Sequence, residues 1–261
     1  MNAKKNLFAV ALIFSSFALS AQAFKLDLKK EIVIGSVALT GEIFHNVYER
    51  TVSDTKWDGK VYDKDDVNAF DRQFMHAYNK PLNAVGNVMM GVIPVSVLAI
   101  NAYFIYKNYE LTDLLTETVM AAETFLLAHT APHVIKPLVS RIRPYNYFSA
   151  VDNPQKSDWN HSFFSGHTSM AFAGATFGSY TFCKWFPDSK LKIPVIAISY
   201  TLATFTGISR LYAGCHFATD VLVGAAVGTA IGFFVPWLHT LNTKDTQIAL
   251  LPNGVTVKKI L

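Results

Sequence analysis

The sequence predicts an all-α protein, a helical bundle of about five transmembrane helices after an N-terminal signal sequence, and three observations predict it. Charged residues make up 16% of the 261 positions and apolar residues 51%, against roughly 25% charged in an ordinary soluble domain. Residues 82–106 carry no charge at all, a stretch long enough to cross a bilayer. Four further apolar stretches of helical length follow it. The balance of 23 basic and 19 acidic side chains, +4 overall, is too small and too evenly spread for a nucleic-acid partner, which needs a concentrated basic stripe. Two cysteines exclude a disulfide-framework miniprotein.

Taken in order, residues 1–23 read as a bacterial secretory signal peptide. Lys4 and Lys5 precede an apolar run over 7–19, and Ala21-Gln22-Ala23 has the small-x-small pattern of a cleavage site. An uncleaved anchor is the alternative, and both put residue 24 outside the cytoplasm. Residues 24–81 mix Asp54, Asp58, Asp63, Asp65 and Asp66 with Lys56, Lys60 and Lys64, and read as a solvated periplasmic or interfacial segment with one or two amphipathic helices. Within it 31–48 is helical in character, and Glu31 and Glu42 favour lying along a surface over spanning. A calcium-loop reading of the acidic run fails: counting from Asp63, the sixth position is Asn68 instead of Gly and the twelfth Phe74 instead of Glu.

Residues 82–240 form the helical domain and 241–261 a C-terminal tail. After the first span, 111–135 carries Asp113, Glu117, Glu123, His129 and His133, so it must face protein or a watery cavity. The runs 163–183, 193–209 and 221–238 complete the set. The last two are short for a bilayer and equally suit the buried helices of a soluble all-α domain. Five crossings from an outer residue 24 place Lys107, Lys184, Lys190 and Lys192 inside and the 136–162 loop outside.

Three pieces then fall on that same outer side. They are Lys136 to Pro144, with Lys136, Arg141 and Arg143; Ser162 to Ser169, with Ser165-Gly166-His167 directly before an apolar run; and Gly207 to Asp220, with Arg210, His216 and Asp220. Lys136, Arg143 and Arg210 supply the cations a phosphate needs, the arginines with forked donors. Ser165 and Gly166 open a helix, whose free backbone N–H groups also face an anion. Of the two histidines, one attacks phosphorus and the other protonates the departing oxygen. Asp220 follows His216 by one helical turn and is expected to fix its tautomer, which makes His216 the nucleophile and His167 the general acid. This scheme uses no metal and no cofactor. His129 and His133 have zinc-ligand spacing, but no glutamate follows the first and Pro132 lies between, so they read as structural. Cys183 and Cys215 lie toward opposite helix ends and should not pair.

These residues resemble the type 2 phosphatidic acid phosphatase (PAP2) superfamily, whose pattern is K-x6-RP, PSGH and SR-x5-H-x3-D. Lys136, Arg143 and Pro144 match the first block, Ser165, Gly166 and His167 the second, and Ser209, Arg210, His216 and Asp220 the third. Phe164 stands where the family has proline. The resemblance covers residues 110–240 and implies an all-helical phosphatase core with a phosphohistidine intermediate, acting on lipid phosphates or diphosphates when embedded in a membrane. The expected partners are therefore a membrane lipid phosphate and the lipid bilayer, with the site facing the periplasm from the inner membrane. A soluble periplasmic acid phosphatase and a non-catalytic lipid- or phosphate-binding membrane protein are the alternatives.

Overall fold

The computed structural model describes residues 23–51, 59–148, 158–240, 246–251 and 254–259. Residues 1–22 of the expected signal over 1–23 lie outside them. Six long helices build the bundle: α1 (Leu28–Thr51), α2 (Lys80–Asn108), α3 (Leu111–Val139), α4 (Gly166–Trp185), α5 (Lys192–Tyr212) and α6 (Ala218–Thr240). The stretch expected as a tail holds an antiparallel hairpin, β1 (Thr246–Leu251) with β2 (Gly254–Lys259), and among the described residues before it the regular elements are all helical.

The helix ends have local causes. Asn79 Oδ1 accepts the Leu82 N–H at 3.1 Å, and Pro81 in the first turn of α2 has no N–H to leave unpaired. Glu110 and Asp113 form a capping box on α3, which stops at Ser140 in the left-handed region, φ 47°. Between α5 and α6, Gly214 turns the chain with φ +69°; a Cβ there would stand 2.5 Å from the His76 carbonyl oxygen. No other residue type fits that turn.

Helix α4 is central, packed against α2, α3, α5 and α6. Its close approach to α6 depends on Gly224, Gly228 and Gly232, four residues apart. A Cβ at these positions would lie 2.6, 2.1 and 2.4 Å from the carbonyl oxygens of Ser165, Ser169 and Ala173. This is the small-residue packing by which apolar helices approach backbone to backbone. Gly228→Val is expected to push the two helices apart and cost about 3 kcal/mol, read as a lower midpoint of thermal unfolding in detergent. An unchanged midpoint would refute the close contact.

Charge on α3 is handled inside the bundle. Asp113, Glu117 and Glu123 are buried. Glu117 accepts from Asn101 Nδ2 (2.9 Å), Thr181 Oγ1 (2.8 Å) and Trp185 Nε1 (3.0 Å), the satisfaction that a buried carboxylate requires. His129 remains exposed.

Helix α1 departs from its expected place. It runs alongside α3 with both glutamates turned inward: Glu31 reaches His239 on α6 at 3.1 Å, and Glu42 accepts from Thr130 Oγ1 at 2.7 Å. Its outward face is apolar, with Ile32, Val33, Val37, Leu39, Ile43 and Val47 all more than half exposed. The two carboxylates that argued for a water-facing helix are thus the polar stripe by which it docks. Residue 24 also sits elsewhere than expected. Phe24 packs on Trp185 at the C-terminal end of α4, ring centroids 5.3 Å apart, and the Lys25 N–H donates to the His239 carbonyl at 2.9 Å. That end of the bundle is opposite the one where α4 and α6 begin, so residue 24 and the predicted site cannot share a side.

Two helices among the described residues, α2 and α6, are long and apolar enough by themselves to cross a membrane. Large exposed apolar side chains nevertheless ring the bundle, including Val95 and Tyr103 on α2, Ile193 and Ile198 on α5, and Leu222 and Phe234 on α6. Cys183 and Cys215 are both free thiols.

Candidate active site

The predicted site residues gather at one end of the bundle. Lys136 stands in the last turn of α3, Ser165 caps the start of α4, Gly166 and His167 begin it, Arg210 ends α5, and His216 and Asp220 flank the first turn of α6. Ser165 Oγ accepts both the Thr168 N–H (3.3 Å) and its hydroxyl (2.9 Å), while a Cβ on Gly166 would meet Pro132 at 3.3 Å. Phe164, in the place of the family's proline, is buried, and the Phe163–Phe164 peptide is cis.

His216 is buried. Its Nδ1 is 2.7 Å from the Ser162 carbonyl oxygen, an atom that only accepts, so Nδ1 carries the hydrogen and Nε2 keeps its lone pair as an acceptor. That Nε2 lies 3.3 Å from Arg143 Nη1. Burial first, and then the positive field of Arg143, Arg210 and Lys136, hold His216 well below the usual imidazole range.

The expected partner arrangement is corrected in one respect. Asp220 Oδ2 is 3.7 Å from His216 Nδ1, too long for a hydrogen bond. Asp220 accepts instead from the Ser162 hydroxyl, the Phe217 N–H (2.9 Å) and Arg141. It therefore fixes the Ser162 segment whose carbonyl holds the imidazole.

Arg143 is buried and spread over four acceptors or neighbours: the Asp158 carbonyl (2.8 Å), the Asp158 carboxylate, the Cys215 carbonyl (3.0 Å) and His216. Although burial alone would push it up, the adjacent Arg143 guanidinium holds the Asp158 carboxyl well below the usual carboxylate range. Arg210 donates through Nη1 to the Asn83 carbonyl at 3.2 Å, and its buried Nε has no partner among the described residues. His167 Nε2 meets Asn87 Oδ1 at 2.8 Å. Lys136, Arg143, Arg210 and His216 all lie within electrostatic reach of His167. The arrangement brings two imidazoles and three cations within electrostatic reach of one another, a grouping suited to an anion with a reacting phosphorus.

Sequence reasoning missed five participants. Asn87 on α2 and Ser162 carried no spacing signal, and neither did Asp158. Arg141 lies inside the first block but was given no task. It bridges Asp220 and Asp71, donating to Asp71 Oδ2 at 2.7 Å. Asp71 lies on the helical turn Ala69–Arg72, in the segment read as solvated, yet it is fully buried. It also accepts the Thr219 N–H (2.9 Å), the Thr219 hydroxyl (2.7 Å) and Asn68 Nδ2 (2.8 Å).

The aromatic residues near the motifs pair with the segment before α2. Tyr145 is buried against Tyr78, ring centroids 5.8 Å apart, Trp159 stacks on Tyr62 at 6.1 Å, and Tyr212 stacks on His76 at 4.6 Å. Each therefore ties residues 59–79 to the bundle. An apolar groove of 320 Å³ opens between α5 and α6, lined by Phe70, Phe74, Phe172, Ile208, Leu211 and Leu222.

Residues 117–244, which contain every cation and histidine of this site, match the profile of the PAP2 superfamily. They make the chain a PAP2 superfamily member. Among curated relatives, the chain is 40% identical over 85 residues to a lipid A 1-phosphatase of Porphyromonas gingivalis, covering 33% of this chain and 18% of that one. It is 37% identical over 103 residues to phosphatidylglycerophosphatase B of Bacillus subtilis, covering 39% and 48%. The matched parts thus span less than half the length of these relatives. Among solved structures, the transmembrane PAP2-type phosphatidylglycerolphosphate phosphatase of Bacillus subtilis is 23% identical, covering 78% of this chain and 94% of that chain, with a TM-score of 0.49.

Proposed function

We propose that this PAP2 chain is an integral membrane phosphatase that hydrolyses a phosphomonoester or diphosphate group of a membrane lipid through a phosphohistidine on His216. The observation that carries the reading is the Nε2 lone pair of His216, freed by the Ser162 carbonyl and set 3.3 Å from Arg143. In this scheme Nε2 attacks phosphorus, the bond from phosphorus to the leaving oxygen breaks, and His167 gives that oxygen its proton. A water then attacks the phosphohistidine, returns a proton to His167, and releases phosphate with His216 restored. Lys136, Arg143, Arg210 and the N–H groups at the start of α4 around Ser165 and Gly166 hold the phosphoryl oxygens throughout. Asp220 positions His216 through Ser162.

The lipid class is supported by the apolar groove beside the end of α5, by the apolar side chains around the bundle, and by relatives named for lipid A, phosphatidylglycerophosphate and undecaprenyl diphosphate. Those phosphorylated lipids, with phosphatidic acid, are the substrates to try. Six spans fit better than five, because α1 presents an apolar outer face and packs lengthwise on α3. With Lys107, Lys184, Lys190 and Lys192 on the short loops opposite the site, the positive-inside bias puts the site at the periplasmic face of the inner membrane. Residue 24 then lies on the cytoplasmic side.

Phosphate release from a panel of these lipids in detergent is the test, with carbonate extraction of membranes beside it. The protein should stay in the pellet and release phosphate with chelator present; a soluble protein would support the acid-phosphatase alternative, and no release from any lipid the binding alternative. Because His216 is held neutral well below the usual range, the acid limb it imposes on kcat/KM should fall below pH 6.5, the ordinary imidazole value. A limb at or above that value, after allowing for the substrate's own titration, would contradict the assignment.

A further inference from the structure

At the end of the bundle opposite the phosphate site, three ligating side chains from three helices meet: Glu31 in the first turn of α1, Glu123 in the middle of α3, and His239 in the last turn of α6. His239 Nε2 lies 3.1 Å from Glu31 Oε2 and 3.3 Å from Glu123 Oε2, and one donor atom from each residue lies within 4.8 Å of the others. His239 Nδ1 is 2.8 Å from the Val235 carbonyl oxygen, so that nitrogen carries a hydrogen, and in the neutral imidazole Nε2 turns its lone pair toward the two carboxylates. Glu31 uses its other oxygen to accept the Asp27 N–H at 2.9 Å. Glu123 Oε2 is buried with no hydrogen-bond partner among the described residues. Two buried carboxylates turned on one imidazole nitrogen are a costly arrangement unless a proton or a metal ion lies between them.

We propose that Glu31, Glu123 and His239 form a structural site for a divalent transition metal, zinc first, that clips α1 onto α3 and α6. Bonds of about 2.0 Å in a tetrahedral site separate donor atoms by about 3.3 Å, the spacing His239 shows to each glutamate. A ring nitrogen bound to metal while its partner N–H donates to a backbone carbonyl is the usual support for a histidine ligand. Two carboxylates and a neutral imidazole also balance a divalent charge. The site lies about 28 Å along α6 from Asp220, at 1.5 Å per residue, so it acts on the docking of α1 and takes no part in phosphate chemistry.

The test is zinc content and zinc-dependent stability of the full chain, purified in detergent without a polyhistidine tag. Wild type, as isolated or after dialysis against zinc, should hold stoichiometric zinc, and the Glu123→Gln/His239→Gln double variant should lose it. Glu42→Gln, which alters the separate Glu42, His129 and His133 group, should keep it. For wild type alone, zinc should raise the thermal midpoint and a chelator lower it while kcat for phosphate release stays unchanged. The proposal is overturned if wild type takes up no more zinc than the double variant, if Glu42→Gln loses the zinc that the double variant keeps, or if neither zinc nor chelator moves the midpoint. None of these outcomes bears on whether the chain is a phosphatase.

Discussion

Replacing His216 with alanine is expected to lower kcat for phosphate release by about four to six orders of magnitude, the scale on which removal of a covalent nucleophile acts in other hydrolases. The loss should appear in kcat more than in KM, because the phosphoryl group would still be held by Lys136, Arg143 and Arg210. His167→Ala should cost less with a substrate whose leaving group needs no proton than with a lipid alcohol, since the general acid then has little to do. His216 contributes few polar contacts to the fold, one hydrogen bond to Ser162 and its proximity to Arg143, so the alanine variant should stay folded. Rapid quenching of wild type with labelled substrate should trap label on His216. Equal steady-state rates for wild type and His216→Ala would remove the nucleophile and with it the covalent route.

The cations and histidines of the site were legible because each motif couples a reactive side chain to a helix end. Lys136, His167, Arg210 and the first turn of α6 therefore had to meet once the helices ran up and down. The positions of Glu31, Glu42 and Asp71 were not legible. A carboxylate in a sequence looks the same whether it faces water or a partner 200 residues away, and Glu31 meets His239 while Asp71 meets Arg141 and Thr219. The helical periodicity of α1 was visible. Its polar stripe carried only two glutamates, and which side of the helix was wet depended on α3 and α6. The direct contact expected between Asp220 and His216 failed for a related reason: four residues of separation bring two side chains near, yet the Ser162 loop supplied a closer acceptor. The glycines at 224, 228 and 232 were there to be read as a close-packing face, and their spacing is the signal that would have paired α6 with α4.

Arg141→Ala should be the most damaging substitution outside the reacting groups. Arg141 donates to Asp220 with Nη1 and to Asp71 with Nη2, and its guanidinium lies 4.1 Å from the centre of the Phe217 ring. Both carboxylates are fully buried. Without the arginine they keep their hydrogen bonds from Thr219, Asn68, Ser162 and Phe217 but lose the only cation that joins them among the described residues, at a cost of about 3 to 5 kcal/mol. The thermal midpoint should fall accordingly. Arg141→Lys should recover only part of it, because an ammonium cannot fork between two acceptors as a guanidinium does. The deficit should also depend on pH with a definite sign. Burial raises the Asp71 pKa, but hydrogen bonds from Thr219, Arg141 and Asn68 outweigh that and leave it below the usual carboxylate range. The stability this contributes is therefore present above the unfolded pKa, about 4, and is lost as pH falls through the lower folded value. Wild type and Arg141→Ala should accordingly differ most near neutrality and converge in acid. Activity should fall together with stability, by about 10- to 100-fold in kcat, since Asp220 would no longer be held where it fixes Ser162 and, through the Ser162 carbonyl, the His216 tautomer. A double-mutant cycle with Asp71→Asn separates this route from simple unfolding: if Asp71 acts through Arg141, the second substitution adds little once the first is made. Full additivity of the two in both kcat and stability would show that the segment before α2 has no hold on the site.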